Sequence, residues 1–297
     1  MNPVALYFAS GESLYAGSSA LMLAIVLSPL LRRPWMLRLR NLFAWLGLVL
    51  VVLACSPFDW IVYAIILGLF ASWFVLSQWT LGPIAPRLQI GTGAALLAML
   101  LVISTLEFSR RKIPTITGVA SDHLVVIGDS ISSGIDPHVA TWPVVMQQLT
   151  GWPIKNLARP GAQLMDAKII AKQVDPEDRV VLVEIGGNDL LSGEPSNEFA
   201  RGLEATLFEL SAPGRTVAMF ELPLLPGKIA YGRVQRKLAT KYGVWLIPKR
   251  YFASVISGAD ATSDGLHLSK TGARRMATLV ARALSHVLKS HSQPPSS

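Results

Sequence analysis

Residues 125–134 read VVIGDSISSG, an aliphatic run that stops abruptly at glycine, aspartate and serine. A short aliphatic run bounded by small polar residues is typical of a buried strand. The serine that follows is either part of a plain turn or a nucleophile held at the end of the strand. The rest of the chain favours the second interpretation.

Beyond residue 110 the sequence alternates short aliphatic runs with longer segments of helical character. Strands are predicted at Leu124–Ile127, Val180–Ile185, Thr216–Leu222 and Trp245–Pro248, and helices at about 140–150, 163–173, 197–211, 228–243 and 270–289. Short buried strands separated by helices predict a parallel sheet covered on both faces. The binding residues of such sheets gather at the carboxyl ends of the strands.

Residues with catalytic chemistry lie in the loops of this half. They are Ser130 after the first strand, Gly161 in NLARPGAQL, Asn188 in IGGND, and Asp264 and His267 in SDGLHLS. A nucleophilic serine needs a base, which fits His267, and the base needs an orienting acid, which fits Asp264. The backbone N–H groups of Ser130 and Gly161 and the side-chain amide of Asn188 are candidate donors to an oxyanion.

The blocks GDSISSG, NLARPGA, GGND and DGLHL, in this order, resemble the four signature blocks of the SGNH, or GDSL, hydrolase family. The resemblance covers about residues 121–290. The segment TWPVVMQQLTGWPIKNLARPGA is similar to the arylesterase, thioesterase and lysophospholipase branch. The resemblance implies an α/β/α three-layer domain that hydrolyses esters without a cofactor. It implies Ser130 as nucleophile, Asp264 and His267 as the rest of the triad, and an oxyanion hole of Ser130, Gly161 and Asn188.

Other polar residues have simpler interpretations. Asp129, beside Ser130, could be a catalytic acid, but it and Asp189, after Asn188, are each expected to stabilise a loop through Asx-type bonds. His138 is a rival base, but it lies in a polar loop where histidines are usually solvated. The five histidines show no ligand spacing and Cys55 is the single cysteine, so no metal site is predicted.

The half of the chain before residue 110 is strongly apolar and contains four stretches of membrane-spanning length, at about 14–31, 41–57, 60–80 and 90–108. The Arg-rich loop LRRPWMLRLR favours a cytoplasmic position for the first connection. With four spans, the second half of the chain is then extracytoplasmic, on the periplasmic side of an inner membrane. The basic run Arg110–Lys112 disagrees with this orientation, because it directly follows the last span and would be on the extracytoplasmic side. If one of the four apolar stretches lies at the membrane interface instead of spanning it, this run and the Arg-rich loop are both cytoplasmic.

The sequence therefore predicts three segments: a transmembrane domain of residues 1–112, an SGNH hydrolase-like domain of residues 113–290 and a disordered tail of residues 291–297. The basic segment Lys228–Arg250 is either a solvated face or a contact for anionic lipid. No nucleic-acid motif is present. The expected function is a membrane-anchored serine esterase acting on an acylated glycan or lipid of the cell envelope. An acyltransferase with the same triad and a non-catalytic binding module are the alternatives.

Overall fold

The computed structural model describes residues 3–30, 33–78 and 84–288. The chain forms two compact units, one made largely of residues 7–111 and the other made largely of the residues after Arg111. The predicted tail, residues 291–297, lies outside the described residues, as do the last residues of two predicted spans.

The first unit is entirely helical within its described residues. Its helices are α1 (Pro3–Ala9), α2 (Ser13–Leu27), α3 (Pro34–Val52), α4 (Trp60–Gln78) and α5 (Ala85–Ser109). Three of them, at Pro34–Val52, Trp60–Gln78 and Pro86–Ser109, are long and apolar enough to cross a membrane. Only 17–28% of each apolar window is buried inside the structure, so most of its apolar side chains face outward. The expected four spans thus correspond to three helices of full length and to α2, which is shorter.

The start of α3 differs from the sequence-based interpretation. The Arg-rich stretch was expected to be a loop up to about residue 40, but the helix begins at Pro34, because proline suits the first position of a helix. Arg40 is therefore helical and buried. Its guanidinium donates to the Ser28 hydroxyl at 3.1 Å and to the Asn41 side-chain oxygen at 2.8 Å, which satisfies it in an apolar setting.

The helices α2 and α3 pack closely at a pair of glycines. A Cβ atom on Gly17 would lie 2.8 Å from the carbonyl oxygen of Gly47, and a Cβ atom on Gly47 would lie equally close to that of Gly17. Small residues of this kind let two helix backbones approach within membrane bundles. Seven of the 15 residues of α2 are consequently buried.

Polar contacts mark the two ends of the helical unit. At one end, the guanidinium of Arg111 donates to both carboxylate oxygens of Glu12, at 2.7 and 3.0 Å, and lies 4.6 Å from the ring centre of Tyr15. At the other end, the side-chain amides of Asn41 and Gln78 exchange hydrogen bonds of 3.2 and 3.4 Å. The beginning of α2 and the end of α5 therefore lie at the same end of this unit.

The second unit is built on a parallel five-stranded sheet. Its strands are β1 (Leu124–Gly128), β2 (Ile154–Asn156), β3 (Val180–Glu184), β4 (Thr216–Phe220) and β5 (Trp245–Ile247), in the spatial order β2-β1-β3-β4-β5. Every residue of β1, β3 and β4 is buried. The predicted parallel α/β sheet is confirmed. The order reverses between β1 and β3, which is where sheets of this type bind ligands.

Eight helices of the described chain accompany this sheet. They are α6 (Ser130–Ser133), α7 (Trp142–Thr150), α8 (Leu164–Ala171), α9 (Gly187–Ser192), α10 (Ser196–Leu210), α11 (Ile229–Tyr242), α12 (Lys249–Ser257) and α13 (Lys270–Leu284). α7 packs on α13 and α13 on α12, while α8 packs on α10. The last predicted helix, 270–289, ends earlier than expected because the chain turns after Leu284 and Leu288 bridges to Ser121.

Candidate active site

The serine of the opening motif begins a helix at the end of a buried strand. β1 ends at Gly128, and Asp129 caps the short helix α6 by accepting a hydrogen bond from the backbone N–H of Ile131 at 2.9 Å. This is the loop-stabilising role expected for Asp129. Ser130 is the first residue of α6, so its own N–H has no partner within the helix.

Ser130, His267 and Asp264 form one chain of contacts. The Oγ of Ser130 lies 3.1 Å from the Nε2 of His267, and the Nδ1 of His267 lies 2.6 Å from an oxygen of Asp264. With the proton on Nδ1, the imidazole donates to the carboxylate and accepts from the serine hydroxyl. The structure thus brings together three residues that are up to 137 positions apart.

The loop before α13 holds the carboxylate of Asp264 in position. The second carboxylate oxygen of Asp264 accepts from the backbone N–H groups of Leu266 at 2.9 Å and of His267 at 2.8 Å. The hydrogen bond from the His267 ring, together with these backbone donors, holds the pKa of Asp264 well below its ordinary value. Gly265 supplies the left-handed turn between them, with φ +88°. The carboxylate therefore stays ionised and keeps the imidazole oriented.

Gly161 lies in a loop that is tied to the end of β1. The backbone N–H of Arg159 donates to the carbonyl of Gly128 at 3.1 Å. Gly161 itself has φ +73°, a conformation that favours glycine, and no atom lies within 4 Å of where a Cβ would be. The loop thus leaves open space beside this glycine.

Asn188 lies close to these loops but its amide is already engaged. Its Nδ2 donates to the carbonyl of Ala162 at 3.0 Å and approaches the carboxylate of Asp129 at 3.4 Å. The sequence predicts an amide aimed at an oxyanion, whereas here both partners are protein oxygens. The contact with Asp129 is long and therefore the weaker of the two.

Asp189 was expected to bond to backbone groups of its own loop, but its carboxylate accepts from a residue 25 positions away. Both of its carboxylate oxygens lie 3.2 Å from the backbone nitrogen of Leu164, the first residue of α8. Burial raises the pKa of Asp189. This contact joins the loop after β3 to the loop that carries Gly161.

A buried polar network beneath the serine was not predicted from the sequence. The Glu184 carboxyl accepts from the Ser132 hydroxyl at 2.7 Å, and that hydroxyl accepts from the indole N–H of Trp142 at 3.0 Å. All three side chains are at most 2% exposed. Since Ser132 belongs to the same short helix as Ser130, the network holds the helix that begins with Ser130 in place. The one feature of the sequence that could have indicated this network is Glu184, a glutamate within the aliphatic run VVLVEI.

The buried carboxyl groups of Asp129 and Glu184 interact electrostatically. Burial raises the pKa of Asp129 to about 6. Burial also raises the pKa of Glu184 well above its ordinary value, and the negative charge of Asp129 adds to this effect. Ionisation of both groups together is therefore unfavourable in the folded protein.

Asp129→Asn tests this electrostatic cost. Because the folded-state pKa of Asp129 is raised, the free energy of unfolding falls as pH rises from about 4 through 6. Asparagine can still accept from the Ile131 N–H but does not ionise. We expect the variant to be more stable than the wild type at pH 8, by up to about 3 kcal/mol, and to lose this advantage at pH 4.

The measurement is thermal unfolding of the full-length protein in detergent between pH 4 and 8. Asp136→Asn is the control, because exposed Asp136 makes the same kind of bond, to the His138 N–H at 2.8 Å. Equal midpoints for wild type and Asp129→Asn at pH 8 would contradict the prediction.

The enclosed space beside the serine is small. A cavity of about 30 Å³ borders Ser130 and His267, and its walls include Ile135, Val139 and Trp142. This volume is enough for one or two water molecules, so an acyl chain of more than a few carbons would have to extend along the surface. His138, the rival base, is exposed and is absent from this lining.

Sequence comparison relates this chain to known proteins. Residues 126–275 match the sequence model of the GDSL-like Lipase/Acylhydrolase family. Thioesterase 1/protease 1/lysophospholipase L1 of Escherichia coli K12 is 26% identical over 180 residues, which cover 57% of this chain and 86% of that protein.

Solved structures are also similar to this chain. The crystal structure of TesA has 23% identity and a TM-score of 0.49, covering 56% of this chain and 99% of its own. The esterase EstA from Pseudoalteromonas sp. has 18% identity and a TM-score of 0.46, covering 56% of this chain and all of its own. The match of the family model spans half of the chain and includes the motifs around Ser130, Asn188 and His267. This chain therefore belongs to the GDSL-like lipase/acylhydrolase family.

Proposed function

We propose that this protein is a membrane-anchored serine esterase that hydrolyses an ester through an acyl-enzyme on Ser130. The observation that carries the proposal is the contact chain from the Ser130 hydroxyl through His267 to Asp264. The family match supports ester chemistry, and the apolar helices support anchoring. The proposed substrate is an acylated glycan or lipid of the cell envelope.

The geometry supports a two-step mechanism. His267 Nε2 takes the proton of the Ser130 hydroxyl as its oxygen attacks the ester carbonyl, and Asp264 stabilises the imidazolium that forms. The N–H groups of Ser130 and Gly161 and the amide of Asn188 receive the oxyanion, with Asn188 exchanging its weak contact to Asp129 for the substrate oxygen. His267 then protonates the departing alcohol, and water attacks the acyl-enzyme with His267 again as base.

The test uses the full-length protein in detergent with nitrophenyl esters of short and medium chain length. Ser130→Ala is expected to abolish turnover. The matched control is Ser133→Ala, in the same helix, whose hydroxyl donates to the backbone carbonyls of Asp129 at 3.0 Å and of Gly134 at 3.4 Å. Turnover by Ser130→Ala at the wild-type rate would exclude the mechanism. No turnover by the wild type would leave the binding-module alternative.

An acyltransferase would use the same triad and differ only in what attacks the acyl-enzyme. A transferase that takes its acyl group from within the membrane would also need a base there, and all five histidines of the chain follow residue 110. This observation favours hydrolysis. Adding a soluble alcohol to the esterase assay distinguishes the two, since a transferase converts the acyl group mainly to a new ester rather than to the free acid.

We further propose an inner-membrane location with residues 1–112 as the membrane domain and residues 113–290 on the extracytoplasmic side. Arg38 and Arg40 lie near the start of α3, and Arg87 lies near the start of α5. The opposite end of the helical unit holds Arg110 and Arg111, with Lys112 directly after them, and the charge of Arg111 is paired with Glu12. Three arginines at the first end therefore outnumber the two cations at the other that make no ion pair with a described residue, and the larger positive charge lies at the end that would be cytoplasmic. Labelling of single introduced cysteines by a membrane-impermeant maleimide in intact cells tests this orientation.

A further inference from the structure

A groove on the second unit carries unusual positive charge. It has a volume of about 700 Å³ and runs between α12 and α13. Four cations line it from α13: Lys270, Arg274, Arg275 and Arg282. Lys270 and Arg282 are separated by 12 residues of helix, which corresponds to about 18 Å. The positive charge therefore extends along most of one helix face.

No acidic side chain in the described part of the chain lines the groove. Neither α12 nor α13 contains an aspartate or a glutamate. Among the described residues, none of the four lining cations makes an ion pair. The basic segment Lys228–Arg250 differs in this respect, because Arg236 pairs with Glu221 at 2.6 Å and Lys241 pairs with Glu204. The groove is thus the stronger anion-attracting surface.

The groove also has an apolar component and a fixed cation. Ile113, Val255 and Leu279 contribute apolar lining beside the charges. The guanidinium of Arg275 lies directly against Gly258 at the end of α12, where an added Cβ would be 1.5 Å from Nη1. A surface that combines cations with an apolar lining suits an amphiphile with a negative head.

The chain connects this groove directly to the last apolar helix. Ile113 follows the end of α5, Ser109, by four residues, and four residues span at most about 14 Å. Chain length therefore keeps Ile113, one residue of the lining, within about 14 Å of the end of that helix.

We propose that the groove between α12 and α13 binds the phosphate-bearing headgroup of an anionic membrane lipid. This contact would hold the catalytic unit at the membrane surface, independently of whether Ser130 acts as the nucleophile. Each basic side chain near an anionic surface contributes roughly a fivefold factor in affinity, so neutralising two should weaken binding by about 30-fold.

The experiment measures lipid retention by the full-length protein in detergent, using native mass spectrometry with phosphatidylglycerol and with phosphatidylcholine of the same acyl chains. The test variant is Arg274→Gln with Arg282→Gln. The matched control is Lys237→Gln with Lys241→Gln, which removes the same charge from α11. Hydrolysis of a short nitrophenyl ester, compared with that of the wild type, checks that each variant is folded.

The proposal expects phosphatidylglycerol to bind wild type and the α11 variant alike, and the groove variant about 30-fold more weakly. Unchanged binding in the groove variant overturns it, as does a loss confined to the α11 variant. Equal retention of the two lipids also overturns it. Inorganic phosphate and glycerol phosphate are added as competitors, and displacement of the lipid at equal concentration would assign the groove to a soluble phosphate instead.

Discussion

His267→Ala should lower kcat for a nitrophenyl ester by about 10,000-fold while leaving the protein folded. In the proposed mechanism the imidazole takes the proton of the Ser130 hydroxyl across a 3.1 Å contact, and no other described histidine lies within hydrogen-bond distance of that hydroxyl. General-base catalysis alone contributes about 100- to 10,000-fold, and the loss of a triad histidine reaches or exceeds the upper value.

Two further variants make this result specific. The double variant Ser130→Ala with His267→Ala should be no slower than either single variant, because the two groups act as one unit. His138→Ala, in an exposed loop of the same unit, should retain wild-type kcat. Additive losses in the double variant, or a comparable loss in His138→Ala, would show that His267 is not the base for Ser130.

Gly128→Ala should both destabilise the protein and reduce its activity. A Cβ at this position would lie 2.7 Å from the Ser132 hydroxyl, 2.8 Å from the Ser132 Cβ and 2.9 Å from the Glu184 carbonyl. These atoms are buried, so the clash can be relieved only by moving the strand end or α6. We expect about 1–3 kcal/mol lower stability from overpacking. A displacement of the serine by about 1 Å would lower kcat about 100-fold.

Unfolding and ester hydrolysis by the same preparation measure the two effects. Gly91→Ala is the control, because no atom lies within 4 Å of where its Cβ would be and alanine favours the helix. A Gly128→Ala protein with wild-type stability and kcat would mean that the strand end is not as closely packed as the distances indicate. The motif GDS therefore requires glycine at position 128 because neighbouring atoms leave no room for a Cβ atom, and not because the backbone adopts a left-handed conformation there.

Much of the second unit follows from local sequence patterns. Buried strands such as Val180–Glu184 are continuous aliphatic runs, and Ser130 follows one of them. His267, which the structure brings into contact with Ser130, and its partner Asp264 lie instead in the polar loop between α12 and α13. β2 was missed because it has only three residues, none of them buried. α12 was missed because its nine residues follow a proline and begin with two cations.

The interactions that could not be predicted are those between distant residues. Nothing near Glu184 in the sequence indicates that it accepts from Ser132, 52 positions away. The engagement of the Asn188 amide by Ala162 likewise depends on how two loops approach each other. Local pattern therefore singled out the candidate residues that the structure brings into contact, whereas the partners that hold them in position required the fold.

The shortness of α2 has a consequence for the surrounding lipid. Its 15 residues rise about 22 Å, against a hydrocarbon thickness of about 30 Å. In the proposed membrane-bound state this hydrophobic mismatch makes the bilayer thin locally around α2, at a cost of fractions of a kcal/mol per Å. The close glycine contact with α3 offsets that cost. Such a helix favours thin, fluid regions of membrane, so bilayer thickness would influence where the protein accumulates.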